Sequence, residues 1–219
     1  MRPSRSLSAA VGFALIGLIA LAGQPAEAGA PTDQVKASVD RIIAILQDPA
    51  LKSEARSKDR RVAIREVASN IFDYPEMTKR ALGRHWQRLS EADRAEFVPL
   101  FTDLLERSYI SRIEQYSGEK IAYGKEAVDP AGEFATVKTT FTPAKGPEVP
   151  IEYHLIRRGD RWVIYDVFVE GVSLVANYRT QFDKIIQTAS YQELVRRLRA
   201  GQADIPAPGA STSKTKGRT

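Results

Sequence analysis

The feature that most restricts this chain is a change of hydrophobic period near Gly118. Before it, apolar residues recur at three- and four-residue spacing; after it they alternate one for one, and beyond Gly171 the helical spacing returns. A helix buries a stripe and a half-buried strand buries one face, so helices, then strands, then helices do not interleave as βαβ units. The order predicts an α+β fold in which several helices pack an antiparallel sheet.

From Thr32, Val35, Val39, Ile42, Ile43 and Leu46 mark a first amphipathic helix that Asp48-Pro49 ends. A second, shorter helix carries Val62, Val67, Ile71 and Phe72, with Arg56, Lys58, Arg60, Arg61 and Arg65 before and within its start. Such a basic run reads first as a solvated face and second as a docking surface. Asp73-Tyr74-Pro75-Glu76 opens another helix, which Gly83 suits as its end. Ser90 and Asp93 form a capping-box-like start for the longest helix, striped by Phe97, Leu100, Phe101, Leu104, Leu105, Tyr109, Ile113 and Tyr116; Pro99 is expected to kink it or move its start.

In the alternating region Ala135, Val137, Thr139 and Phe141 share one face, as do Val149, Ile151, Tyr153 and Leu155; Glu152 and His154 oppose the second set on a wet face. Arg158-Gly159-Asp160 is a tight-turn signal. It leads into Trp162 to Val169, apolar on both faces and so expected to be central, with Ile121 to Tyr123 as a short extra strand. Gly171-Val172-Ser173 breaks the pattern and opens a helix carrying Val175, Tyr178, Phe182, Ile185 and Ile186. A last helix starts near Ser190, spaced from Glu193 as in a capping box, and buries Leu194, Val195 and Leu198.

The ends are expected to be different in kind. Arg2 and Arg5 precede an apolar run from Leu7 to Ala22 and the small-residue pattern Ala26-Glu27-Ala28, which reads as an export signal over residues 1–28. Without any cysteine, lipid attachment at a cleavage-site thiol, disulfides and Cys-ligated metals are excluded. Residues 29–205 are expected to form one domain, and residues 206–219, rich in Pro, Ala, Ser, Thr and Lys, a disordered basic tail. Losing Arg2, Arg5 and Glu27 with the leader takes the net charge from +5 to +4, and Lys214, Lys216 and Arg218 carry three of those charges. The body is thus near neutral, which argues against nucleic acid as a partner.

Catalytic chemistry is hard to find. His85 and His154 have no second ligand at metal spacing, Ser173 lacks the second glycine of a nucleophile elbow, and no phosphate-cradling glycine loop occurs. No cofactor is expected. Asp166, between Ile164 and Phe168 on a buried strand, is the exception: it needs hydrogen-bond donors, or else faces a cavity as an acid or base.

Two separated blocks carry a resemblance. Phe72-Asp73-Tyr74-Pro75-Glu76-Met77 through Ala81-Leu82-Gly83-Arg84-His85-Trp86, and Trp162-Val163-Ile164-Tyr165-Asp166-Val167 followed by Glu170 to Val175 and Asn177 to Phe182, resemble the MlaC or toluene-tolerance family. The likeness runs from about Thr32 to Ala200. It implies a non-enzymatic periplasmic carrier that takes phospholipid between an inner-membrane ABC transporter complex and an outer-membrane lipoprotein complex. It also implies a twisted sheet and helices around an apolar pocket, in the manner of cone-shaped nuclear-transport-factor-like folds. A related family accompanies hopanoid biosynthesis, so a polycyclic lipid is an alternative cargo. On that implication the expected lipid-contacting residues are Val137, Phe141, Ile151, Tyr153 and Leu155 from strands, and Phe101, Leu104, Leu105, Tyr109, Val175 and Tyr178 from helices. Two rivals remain: an enzyme using Asp166 as proton shuttle, and a lipid-free adaptor using the Arg-rich helix and basic tail.

Overall fold

A computed structural model describes residues 30–201. The expected leader and the expected basic tail lie outside the described residues. Helices α1 (Pro31–Gln47), α2 (Ser57–Ile71), α3 (Tyr74–Leu82) and α4 (Glu91–Glu114) precede strands β1 (Lys120–Val128), β2 (Phe134–Thr142), β3 (Val149–Arg158), β4 (Arg161–Val169) and β5 (Val172–Ser173). Helices α5 (Leu174–Thr188) and α6 (Tyr191–Arg199) follow. The strands form one antiparallel meander in the order β1-β2-β3-β4-β5, so the α+β architecture is as expected.

Local chemistry sets the boundaries. The Asp73 carboxylate accepts the Glu76 N–H at 2.9 Å to start α3, and Gly83 ends it with φ at 53°, a conformation open to glycine. Ser90 and Asp93 form a full capping box, and α4 continues through Pro99 without moving its start. Ser190 caps α6 by accepting the Glu193 N–H at 3.1 Å, while the Glu193 carboxylate turns to Arg196 and Arg197 instead of completing the box. Gly159 supplies the positive φ, 60°, that the two-residue β3–β4 turn demands.

Three expectations are corrected. Val62 is 57% exposed, because the buried stripe of α2 is Ile64, Val67 and Ile71. Strand β4 is not central: β3 lies on one side and only the two-residue β5 on the other, and β4 is buried because Phe72 bridges to Ile164 and the Asp73 N–H donates to the Ile164 carbonyl at 2.8 Å. Val172-Ser173, read as a break, pairs back on Val169 and Phe168 before the helix begins.

Two apolar clusters share the interior. The first is helical, built from α3, α4, α5 and α6 around edge-to-face rings: Phe101 meets Tyr178 at 5.2 Å and Phe182 at 5.3 Å, and Phe97 meets Phe182 at 5.6 Å. The second lies between the sheet and helices α1 and α2, with Val35, Ile71, Ala135, Val137, Leu155, Trp162 and Ile164. Phe72 packs against both. Part of the Arg-rich run is used internally: Arg60 and Arg61 both pair with Glu114 of α4, at 2.7 and 2.8 Å, and Arg65 reaches Glu106 at 2.5 Å.

Candidate functional site

Pairing arranges the sheet face under α1 in rows, since directly opposed residues point the same way. The first row is Val128, Ala135, Leu155 and Ile164; the second is Glu126, Val137, Tyr153 and Val167. The third is Tyr123, Thr139, Ile151 and Val169, and the fourth Ile121, Phe141 and Val149. Ala135, Leu155 and Ile164 of the first row are buried, closed over by Val35 and Ile71. Further along the face cover is partial: Val137 and Thr139 stay buried, but Tyr153, Val167, Tyr123, Ile151, Val169, Ile121, Phe141 and Val149 all keep accessible surface. This mostly apolar face under α1, the trough, is closed at one end and only partly covered at the other.

Helix α1 follows the same gradient. The Thr32 N–H and hydroxyl donate to Glu126 of β1 at 2.8 and 2.5 Å, and Gln34 accepts the Trp162 N–H at 2.8 Å, so its first turn is tied to the sheet. Val35 is 1% exposed, yet Val39, Ile42, Ile43, Ile45 and Leu46 beyond it are only half-buried. Its apolar stripe thus runs off the closed end of the core.

A bulge explains Asp166. His154 pairs with Asp166 but Leu155 with Ile164, which leaves Tyr165 as the extra residue. The bulge puts Ile164 on the trough face and turns Asp166 to the opposite face, beside His154. There the carboxylate accepts the Val167 and Val175 N–H groups at 2.8 and 3.0 Å and the Ser173 hydroxyl at 2.5 Å. Ser173 in turn accepts the Ala176 N–H at 2.9 Å and caps α5. Two backbone amides and the Ser173 hydroxyl hold this carboxylate, and together they latch β4, β5 and α5.

The remaining singled-out residues have structural partners. His85 Nε2 meets the Asp183 carboxylate at 2.6 Å. His154, expected on a wet face, is half-buried and stacked on Phe168 at 4.3 Å, with Glu152 at 3.8 Å from Nε2.

The eleven expected lipid-contacting residues divide between the clusters. Phe101, Leu104, Leu105, Val175 and Tyr178 belong to the helical cluster, and Tyr109 packs against it. Val137 and Leu155 belong to the sheet cluster, with Tyr153 packed against it, while Phe141 and Ile151 stand at the open end. Phe101, Tyr178, Val137 and Leu155 are each 0% exposed, so their surfaces are fully used in packing. Tyr109, Phe141, Ile151 and Tyr153 keep surface free. Burial pushes the Tyr109, Tyr123 and Tyr153 phenols up from their ordinary range, so all three are neutral at pH 7. The expected lipid-contacting set omits Tyr123, Val167, Val169 and the apolar stripe of α1, which share this face. A separate groove of about 520 Å³ between α4 and α6 is lined by charged groups, among them Asp93, Glu96, Arg196 and Arg199.

Among the described residues no helix is long and apolar enough to cross a membrane. The fold is similar to that of a phospholipid-binding protein of Ralstonia solanacearum solved in complex with a phospholipid, with a TM-score of 0.70 at 22% identity, covering 80% of this chain and 98% of that one. In sequence the chain is similar to the intermembrane phospholipid transport system binding protein MlaC of Haemophilus influenzae, 23% identical over 122 residues. That match covers 54% of this chain and 57% of the relative, little more than half its length. Residues 36–200, which hold both resembling blocks and every row of the trough, match the family model of the MlaC protein. The chain belongs to the MlaC family.

Proposed function

We propose that this protein is a periplasmic carrier that holds phospholipid acyl chains in the trough between α1 and the sheet. In this reading it moves lipid between an inner-membrane ABC transporter complex and an outer-membrane lipoprotein complex without catalysing a reaction. The observation that carries the proposal is the half-open apolar face from Tyr153 to Phe141, continued by the half-buried stripe of α1. Some thirty methylenes in two acyl chains, at about 0.8 kcal/mol each, make their exposure to water cost on the order of 20 kcal/mol. A lipid therefore crosses an aqueous space only inside a sheath, and a sheath needs unfilled apolar surface with an opening.

Of the eleven residues, Phe141, Ile151 and Tyr153 have free surface on this face to touch hydrocarbon; Tyr109 keeps free surface too but packs against the helical cluster. Val137 and Leu155 lie in the rows of the same face but are fully buried, and Phe101, Leu104, Leu105, Val175 and Tyr178 belong to the closed helical cluster. Membership of the family and the lipid-bound relative of like fold support the cargo class. The test is purification under native conditions followed by lipid extraction and mass spectrometry, with uptake of labelled phospholipid from vesicles alongside. Co-purifying phospholipid is expected, and a polycyclic lipid in its place would redirect the cargo to the hopanoid alternative. No bound lipid together with no uptake would end the carrier reading.

A further inference from the structure

Apart from Glu126, which is tied to Thr32 at the start of α1, the trough is apolar except for three hydroxyls on adjacent strands. Tyr123 is directly opposite Thr139, and Tyr153 lies one step diagonally from Thr139, opposite Val137. Two of them are incompletely bonded. The Tyr123 hydroxyl is buried and has no hydrogen-bond partner. Thr139, 3% exposed, reaches the Ile151 carbonyl only at 3.4 Å, near the limit of a hydrogen bond, and Tyr153 shares its hydroxyl. Among the described residues, buried Thr78 donates to the Tyr74 carbonyl at 2.7 Å and Asp166 accepts three hydrogen bonds, while the two other buried side-chain polar atoms without a hydrogen bond, Glu106 Oε2 and His154 Nε2, each face a charged side chain, Arg65 at 2.5 Å and Glu152 at 3.8 Å.

A buried phenol without a partner is costly, so its place in a folded protein calls for an acceptor that arrives later. Because Tyr123 is neutral and its O–H donates, the partner is an oxygen acceptor. A phosphodiester fits poorly, since neutral hydroxyls offset little of the cost of burying a full charge. Outside, the Lys36 ammonium sits 5.9 Å from the centre of the Tyr123 ring and pairs with Asp40 at 2.5 Å, so charge is available at the rim rather than within.

We propose that the hydroxyls of Tyr123, Thr139 and Tyr153 form a polar subsite in the trough that receives an ester carbonyl of the bound lipid. The assignment rests on the carrier reading. It makes the protein selective for ester-linked lipids over ether-linked lipids of the same headgroup and chain length, which lack the carbonyl. One hydrogen bond of ordinary net worth corresponds to a preference of about threefold to tenfold.

The test compares binding of a diacyl phosphatidylglycerol with its dialkyl ether analogue, by wild type and by Tyr123→Phe and Tyr153→Phe. Wild type is expected to favour the ester; Tyr123→Phe is expected to lose the preference by weakening ester binding alone. Because Tyr123→Phe removes an unpaired buried hydroxyl, its lipid-free form is expected to melt no lower than wild type, which separates a binding loss from misfolding. Equal binding of ester and ether by wild type would overturn the subsite and leave the carrier standing. An equal loss for both lipids in Tyr123→Phe would overturn it too, by pointing to the phosphate they share. Failure of wild type to bind either lipid would instead remove the carrier reading itself.

Discussion

Replacing Asp166 by alanine tests whether that carboxylate is a latch or a reactive group. Alanine leaves the Val167 and Val175 N–H groups without their acceptor, and the Val175 amide is buried. An orphaned buried donor costs about 1–3 kcal/mol, so two predict a loss of about 4 kcal/mol. For a domain of this size that lowers the melting temperature by about 8–16 °C. Asp166→Asn keeps one acceptor oxygen for both amides but turns a donor toward Ser173, whose oxygen already accepts from Ala176. Its loss is expected to be about 1–2 kcal/mol. The assay is urea unfolding of both variants, with phospholipid uptake from vesicles measured where each is folded. An Asp166→Ala protein within about 1 kcal/mol of wild type would refute the latch, since surface changes rarely exceed half that. A stable Asp166→Asn protein that takes up no lipid would give the carboxylate a role beyond holding β4, β5 and α5 together.

Three further outcomes follow from burial and charge. Val62→Lys is expected to change stability by less than about 0.5 kcal/mol, whereas Ile64→Ala, in the same helix, is expected to cost about 2–5 kcal/mol; chemical denaturation distinguishes the two stripes of α2. Phe101→Ala is expected to cost about 3–5 kcal/mol, while Phe141→Ala, at the open end of the trough, costs about 1 kcal/mol and weakens lipid uptake; the reverse ranking of stabilities would move the wall of the trough to the helical cluster. The His85 hydrogen bond, followed by Arg84, holds the Asp183 carboxyl below its ordinary 3.8. A depressed carboxylate stabilises the fold above the unfolded value and loses that contribution as pH falls through the folded one, so Asp183→Asn is expected to flatten the decline in urea midpoint below about pH 4.

How far the sequence carried the fold depended on whether a signal was local. The Ser90–Asp93 box, the Asp73 cap and the Gly159 turn each act within four residues, and each forms as its residue types require. The bulge at Tyr165 is not local in this sense. It exists in the pairing of β3 with β4, and it decides that Ile164 faces the trough while Asp166 faces away. Alternation alone puts Ile164, Asp166 and Phe168 on one face, which is why the carboxylate looked misplaced. Strand β4 looked central for a related reason. Burial on two faces reads the same whether a strand is flanked by full neighbours or sealed at its edge by Phe72. The site was harder to read. Apolar residues at helical or strand spacing predict burial, but whether protein or ligand supplies it depends on what packs opposite. Phe101 and Phe141 are both large apolar residues at regular spacing, and what packs opposite separates them: the rings of α5 close over Phe101, while Phe141 stands at the partly covered end of the sheet face.

That separation bears on how a protein with the proposed carrier role stays folded while empty. An apolar surface left without cover draws its neighbours inward unless something else fixes the framework. Here the framework has its own closed core: the interlocked rings of Phe97, Phe101, Tyr178 and Phe182 join α4 to α5, and the Asp166 latch ties α5 to the sheet. The second cluster can then remain unfinished at one end without unfolding the whole. Helix α1 is tied to the sheet through its first turn by Glu126 and by the Trp162 amide, so displacement of its far half by a bulky guest does not break those bonds. On the proposed carrier reading the two clusters divide the work, the aromatic one supplying stability that does not depend on cargo and the sheet-side one supplying the space for it.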